Sequence, residues 1–189
     1  MINNTSSGLV FGITGASGSP IAAMLLQRLR ELEYSSKTAL IFTENGKRVW
    51  EYENEGIEDI LKDFATFQND NMFVPFASGH SDYNAMIICP CSMGTLGRIA
   101  SGVSHDLIGR TADVMLKERR PLVIVIREAP YNMIHLKNMQ KLHRAGAIIL
   151  PASPGFYHKP KNIPDLFRPL VDRILHHAGI ENLSGAWTD

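Results

Sequence analysis

The stretch from Gly8 to Leu29, GLVFGITGASGSPIAAMLLQRL, constrains the fold more than any other in this chain. A short apolar run, Leu9–Thr14, passes through glycines into a segment carrying Ile21, Met24, Leu25, Leu26 and Leu29. Their spacings of three and four put them on one helical face. Ser19 is the expected N-cap, with Pro20 at the first helical position. The glycines run Gly12-x-x-Gly15-x-x-Gly18, which is not the G-x-G-x-x-G of dinucleotide sites. No Lys-Ser/Thr pair follows as in a P-loop. The turn is therefore expected to serve a ligand other than NAD or ATP.

The rest of the chain continues the alternation. Lys37–Thr43 reads as a second strand, and Asn45–Tyr52 has weak helical character. Residues 53–80 carry no clear pattern. Asn84–Cys89 reads as a third strand, expected to stop at Pro90. Ser92 or Thr95 starts a helix containing Leu96, Ile99 and Ala100, and Asp106–Arg119 supports another. Pro121–Ile126 is almost continuously apolar and β-branched, as a strand covered on both faces should be. A helix closed by Gly146, a short AIIL strand and a last helix over Leu166–Ala178 complete the order. Strands alternating with helices predict an α/β class: a doubly wound, mostly parallel sheet flanked by helices, Rossmann- or flavodoxin-like. The 189 residues form one domain, 9–189, behind a polar extension at 1–8.

Composition narrows the partners. Nineteen basic residues balance nineteen acidic ones, so no nucleic-acid or membrane-surface partner is implied. The formal net charge of zero also leaves little electrostatic resistance to self-association. No apolar run approaches membrane-spanning length, and residues 1–8 lack the basic start of a signal peptide, so a cytoplasmic protein is expected. Cys89 and Cys91 flank Pro90; a disulfide across one residue is strained, and two thiols make a poor zinc site. They are expected as small buried residues. The histidines form no H-E-x-x-H pattern, and no metal is expected.

In a doubly wound sheet ligands bind beyond the C-terminal strand ends. After the successive strands come Gly15–Gly18, then Thr43 and Glu44, then Ser92–Thr95, then Arg127 and Glu128, then Pro154–His158. Small hydroxyl residues, glycines and helix starts make a phosphate cradle. Each turn alone also reads as an ordinary strand-to-helix connection; together they favour a mononucleotide or flavin phosphate. Arg127 and Glu128 read either as a surface salt bridge or as an anion clamp beside a proton-transfer group. Tyr157 can hydrogen-bond a phosphate, or decorate the surface. No D-D-x-x-D cluster exists to hold magnesium on a diphosphate, so a leaving phosphate would depend on Lys and Arg.

Three segments carry a family resemblance: GITGASGSPIA (Gly12–Ala22), the long block from Cys89 to Pro130, and GAIILPASPGFYHKP (Gly146–Pro160). They resemble the UbiX-like flavin prenyltransferases, in matching order over most of the chain. The resemblance implies that 9–189 is an FMN-binding flavoprotein domain. It further implies an enzyme joining a dimethylallyl group, from dimethylallyl monophosphate, to N5 and then C6 of reduced FMN, without a metal. The prenylated FMN would serve UbiD-type decarboxylases, and the enzyme would be a homododecamer with sites shared between subunits. Carried onto this sequence, Gly15, Ala16, Ser17, Thr43, Ser92, Met93, Gly94, Thr95 and Arg127 would bind FMN. Lys117, Arg127, Tyr157 and Arg173 would bind the dimethylallyl phosphate. Ser17, Glu51 and Glu128 would be catalytic, with Glu53 and Glu55 standing close to Glu51. His105, Gly97 and Gly109 depart from common family residues but remove no site group. The alternatives are an FMN-dependent cysteine decarboxylase, whose P-A-S-A-N-T pattern is replaced here by Pro90–Thr95, and a non-catalytic FMN carrier.

Overall fold

The computed structural model describes residues 7–55 and 58–180. Most of the expected extension at 1–8 lies outside the described residues, and Gly8 already belongs to a strand. The elements are β1 (Gly8–Ile13), α1 (Ser19–Glu31), β2 (Thr38–Phe42), α2 (Glu44–Glu53), β3 (Ala65–Gln68), β4 (Tyr83–Cys91), α3 (Met93–Ala100), α4 (Leu107–Lys117), β5 (Leu122–Ile126), α5 (Met133–Arg144), β6 (Ile148–Pro151) and α6 (Ile163–His177). All neighbouring strands pair parallel, in the order β3-β2-β1-β4-β5-β6. The order reverses between β1 and β4, and the crevice above that pair is where such sheets bind ligands.

Alternation along the strands builds two cores. Leu9, Phe11 and Ile13 face α1 and α6, meeting Leu25, Leu26, Leu29, Ile174 and Leu175 together with Trp50 of α2. Val10, Met86, Ile88 and Ile124 face the other way, toward Leu96, Leu107, Ile108, Met115 and Leu142. Leu25, Leu26 and Leu29 are fully buried, so truncating any one to alanine costs about 2–5 kcal/mol.

The structure corrects the expected end of β4. The strand does not stop at Pro90 but runs to Cys91. Between Ile88 and Cys91 the pairing with β5 shifts by one residue, and a bulge is a place where a strand tolerates the missing proline N–H. The bulge also resets the alternation, so Cys89 enters the α1/α6 core and Cys91 the opposite one. Both thiols are free, buried and pushed up by desolvation, Cys91 to about 12. A second difference is β3, an edge strand inside 53–80, where the sequence shows no pattern.

Candidate functional site at the switch point

The end of β1 is tied to the end of β4 by one buried hydroxyl. Thr14 Oγ1 donates to the Pro90 carbonyl at 2.7 Å and accepts from the Ser92 N–H at 2.8 Å. Above this tie three helices begin, and their unsatisfied N–H groups carry partial positive charge. For α2, Thr43 is the N-cap and accepts from the Gly46 N–H at 2.9 Å. For α3, Ser92 is the N-cap and accepts from the Thr95 N–H at 3.3 Å, while Thr95 Oγ1 accepts from Arg98 at 3.1 Å.

The start of α1 differs from expectation. Ser19 is the first helical residue rather than the N-cap; Gly18 holds that place at φ 105°, a left-handed conformation suited to glycine. Gly18 has no side chain to offer, and a carboxylate from α2 replaces it. Glu53 Oε2 accepts from the Gly18 N–H at 2.9 Å, the Ser19 N–H at 2.9 Å and the Ser19 hydroxyl at 2.8 Å. Partial burial pushes the Glu53 carboxyl up, but hydrogen bonds from the Ser17 and Ser19 hydroxyls and the two N–H groups outweigh it. The net result lies below the usual glutamate range. Arg127, at the end of β5, reaches back over β4 so that its Nε donates to the Ser17 carbonyl at 2.8 Å. The Arg127–Glu128 salt bridge does not form: Glu128 instead accepts from the Ala129 N–H at 3.1 Å.

The glycines distinguish protein packing from ligand space. A Cβ at Gly15 would fall 2.6 Å from Asn45 Cβ, so Gly15 lets α2 approach the turn. A Cβ at Gly94 would meet only an Arg98 guanidinium nitrogen, at 3.8 Å, so neighbouring protein atoms do not require a glycine there. That open shelf beside the α3 N-terminus suits the close approach of a flat or anionic ligand. A cleft of about 840 Å³ opens at the ends of β2 and β3, lined by Thr43, Trp50, Glu51, Gln68, His105 and Asp106 among others. A second groove, of about 660 Å³, runs between α1 and α6, from Pro20 and Asn54 beside the start of α1 to Glu31 at its end.

The Flavoprotein family model matches residues 2–173. The flavin prenyltransferase UbiX of Methanocaldococcus jannaschii is 43% identical over 176 residues, covering 92% of this chain and 94% of that relative. A crystal structure of AnUbiX in complex with FMN and dimethylallyl pyrophosphate superposes with a TM-score of 0.87 at 38% identity, covering 96% of this chain and 99% of that one. A dodecameric FMN-dependent UbiX-like decarboxylase from Escherichia coli O157:H7 gives 0.89 at 36% identity, covering 96% and 100%. The chain belongs to the UbiX flavin prenyltransferases of the Flavoprotein family.

Within this UbiX chain the expected residues fall into two groups. Gly15, Ala16, Ser17, Thr43, Ser92, Met93, Gly94, Thr95, Arg127 and Glu128 all follow strand ends and share the rim. Tyr157 stands on the loop after β6, 81% exposed. Lys117 does not join them. It ends α4, pairs with Glu118 and lies beside Gly79, ahead of the first residue of β4. The nine residues of β4, at about 3.3 Å each, put it roughly 25–30 Å from the rim. Arg173 lies ten residues into α6, from Ile163, or roughly 15 Å along that helix.

Glu51 is exposed and lines the cleft, with no hydrogen bond or ion pair among the described residues; the carboxylate brought to Ser17 is Glu53. The helical period held the signal. Glu53 follows Gly46 and Trp50, the buried positions of α2, by seven and three residues, whereas Glu51 points away from them. Among the described residues no group of three or more His, Cys, Asp or Glu could hold a metal ion, and no helix is long and apolar enough to cross a membrane.

Proposed function

We propose that this chain joins a dimethylallyl group, from dimethylallyl monophosphate, to N5 and then C6 of reduced FMN, giving prenylated FMN for a UbiD-type decarboxylase in the cytoplasm. The observation that carries this reading is the cluster at the start of α1. There a carboxylate, two hydroxyls and an arginine converge beside the switch-point shelf. A flavin store would need the shelf but not a second polar cluster next to it. Relatives at this identity are called flavin prenyltransferases, which favours transfer over the decarboxylase and carrier readings.

Thr43, the Ser92–Thr95 turn and the Gly15–Ser17 turn hold FMN, with hydroxyls and helix N-terminal N–H groups placed for its polar atoms. Reduced FMN supplies the nucleophilic N5 and C6 atoms and a π surface. Arg127 places a permanent positive charge where the phosphate leaves; its planar fork suits phosphate oxygens. Glu53 supplies fixed negative charge near Ser17, favouring the allylic cation that forms as the carbon–oxygen bond lengthens. Glu128 accepts the proton lost from C6. Tyr157 and Arg173 complete the phosphate pocket together with Lys117 of a neighbouring copy, since Lys117 in the same chain is too far from the rim. This agrees with a dodecameric relative.

Anaerobic incubation with reduced FMN and dimethylallyl monophosphate, followed by mass analysis of the released flavin, tests the reading. A flavin heavier by one prenyl unit is expected. Unchanged flavin, with dimethylallyl diphosphate also inert and FMN still bound, overturns it.

A further inference from the structure

Glu53 does not reach the α1 N-terminus unaided. Its Oε2 accepts a hydrogen bond from the Ser19 hydroxyl at 2.8 Å, and Ser19 is fully buried. A serine hydroxyl has one proton to give, and its direction here is set from behind. Asn54 Nδ2 donates to Ser19 Oγ at 2.8 Å and to the Trp50 carbonyl at 3.2 Å. The Trp50 carbonyl can only accept, so the amide nitrogen, not the oxygen, must face this side. Ser19 Oγ is therefore occupied as an acceptor and turns its proton to Glu53. Asn54 is itself 2% exposed, and among the described residues its Oδ1 is buried without a partner. The two bonds from Nδ2 thus hold the amide in one orientation, although an orphaned buried acceptor is costly.

We propose that Ser19 and Asn54 form a positioning clamp that fixes the Glu53 carboxylate, as a hydrogen-bond acceptor, against the first turn of α1. Asn54 orients Ser19, Ser19 orients Glu53, and neither needs to touch substrate. The inference rests on the reading of Glu53 as the carboxylate of the reacting site. The groups around Glu53 are consistent with an anion held by hydrogen bonds. The first turn of α1 carries no acidic residue, Arg127 lies beside Gly18, and the nearby Glu51 and Glu55 are exposed.

The test uses Ser19→Ala, Asn54→Ala and the double variant in the full-length assembled protein. An isotope-edited infrared titration of the flavin-free protein, with Glu53→Gln subtracted, follows the Glu53 carboxyl directly. It should titrate at higher pH in each single variant and no higher in the double than in Ser19→Ala, because Asn54 acts through Ser19. Prenyl transfer should fall about tenfold in Ser19→Ala, the acid limb of its pH profile moving up in step. An unmoved Glu53 titration, or effects of the two substitutions that simply add, would overturn the clamp and leave both residues as packing. Should Ser19→Ala fail to fold, Asn54→Ala alone decides by the same titration. A wild-type protein that makes no prenylated flavin would refute the proposed function, while the titration still judges the clamp.

Discussion

Helices α1 and α3 start at the same rim, above neighbouring strands, yet their first turns are satisfied in opposite ways. Ser92 caps α3 from its own backbone position, a local bond three residues long. Gly18 caps nothing, and α1 takes its acceptor from Glu53, 34 residues further along the chain. A cap built into the sequence is permanent scaffolding. A cap lent by another helix is a charged group whose place is set by tertiary structure, and it is the one that stands next to Ser17 and Arg127.

Three substitutions sharpen that contrast. Glu53→Gln removes the lent charge and should lower prenyl transfer on the order of 100-fold or more in steady-state assays. It should also flatten the acid side of the stability curve. The Glu53 carboxyl is held below its unfolded value, so its contribution is complete above the ordinary glutamate range and is lost as pH falls through the depressed native value. Melting temperatures between pH 3 and 7 should therefore converge for wild type and variant at the acid end. Ser92→Ala should cost about 1 kcal/mol in denaturant unfolding, as loss of a local cap does, and leave the acid slope as it is. Glu51→Gln should change stability by less than about 0.5 kcal/mol, as exposed positions do, with far less effect on transfer than Glu53→Gln. Equal losses at Glu51 and Glu53 would remove the distinction drawn between them.

The parts that were legible in the sequence are those that repeat with a period. The buried faces of α1 and α4, the continuous β5 and the rim turns after β1, β2, β4 and β5 all follow from apolar spacing and small residues. What escaped is long-range or unpatterned. The edge strand β3, with mostly exposed residues, has no alternation to read. Ser19 has the composition of a cap, but a partner 34 residues away redirects its hydroxyl. Pro90 has the composition of a strand terminator, but a bulge accommodates it. The separation of Lys117 from Arg127 was available all along: α4 leads into β5, so its last residue must lie at the end of the sheet opposite the rim. Motif matching puts such residues side by side on the page, and only the topology says that one chain cannot bring them together.

The bulge at Pro90 can be thought of as a change of parity. Below it, odd-numbered residues of β4 belong to one side of the sheet; above it, they belong to the other. Removing one residue there would restore the count, sending the side chain of Cys91 toward α1 and turning Ser92 away from the α3 backbone it now caps. A single inserted residue thus lets one strand serve two masters. Its lower part alternates between the two cores, and its last residue, Cys91, enters the core opposite to Cys89, which leaves Ser92 placed to cap α3.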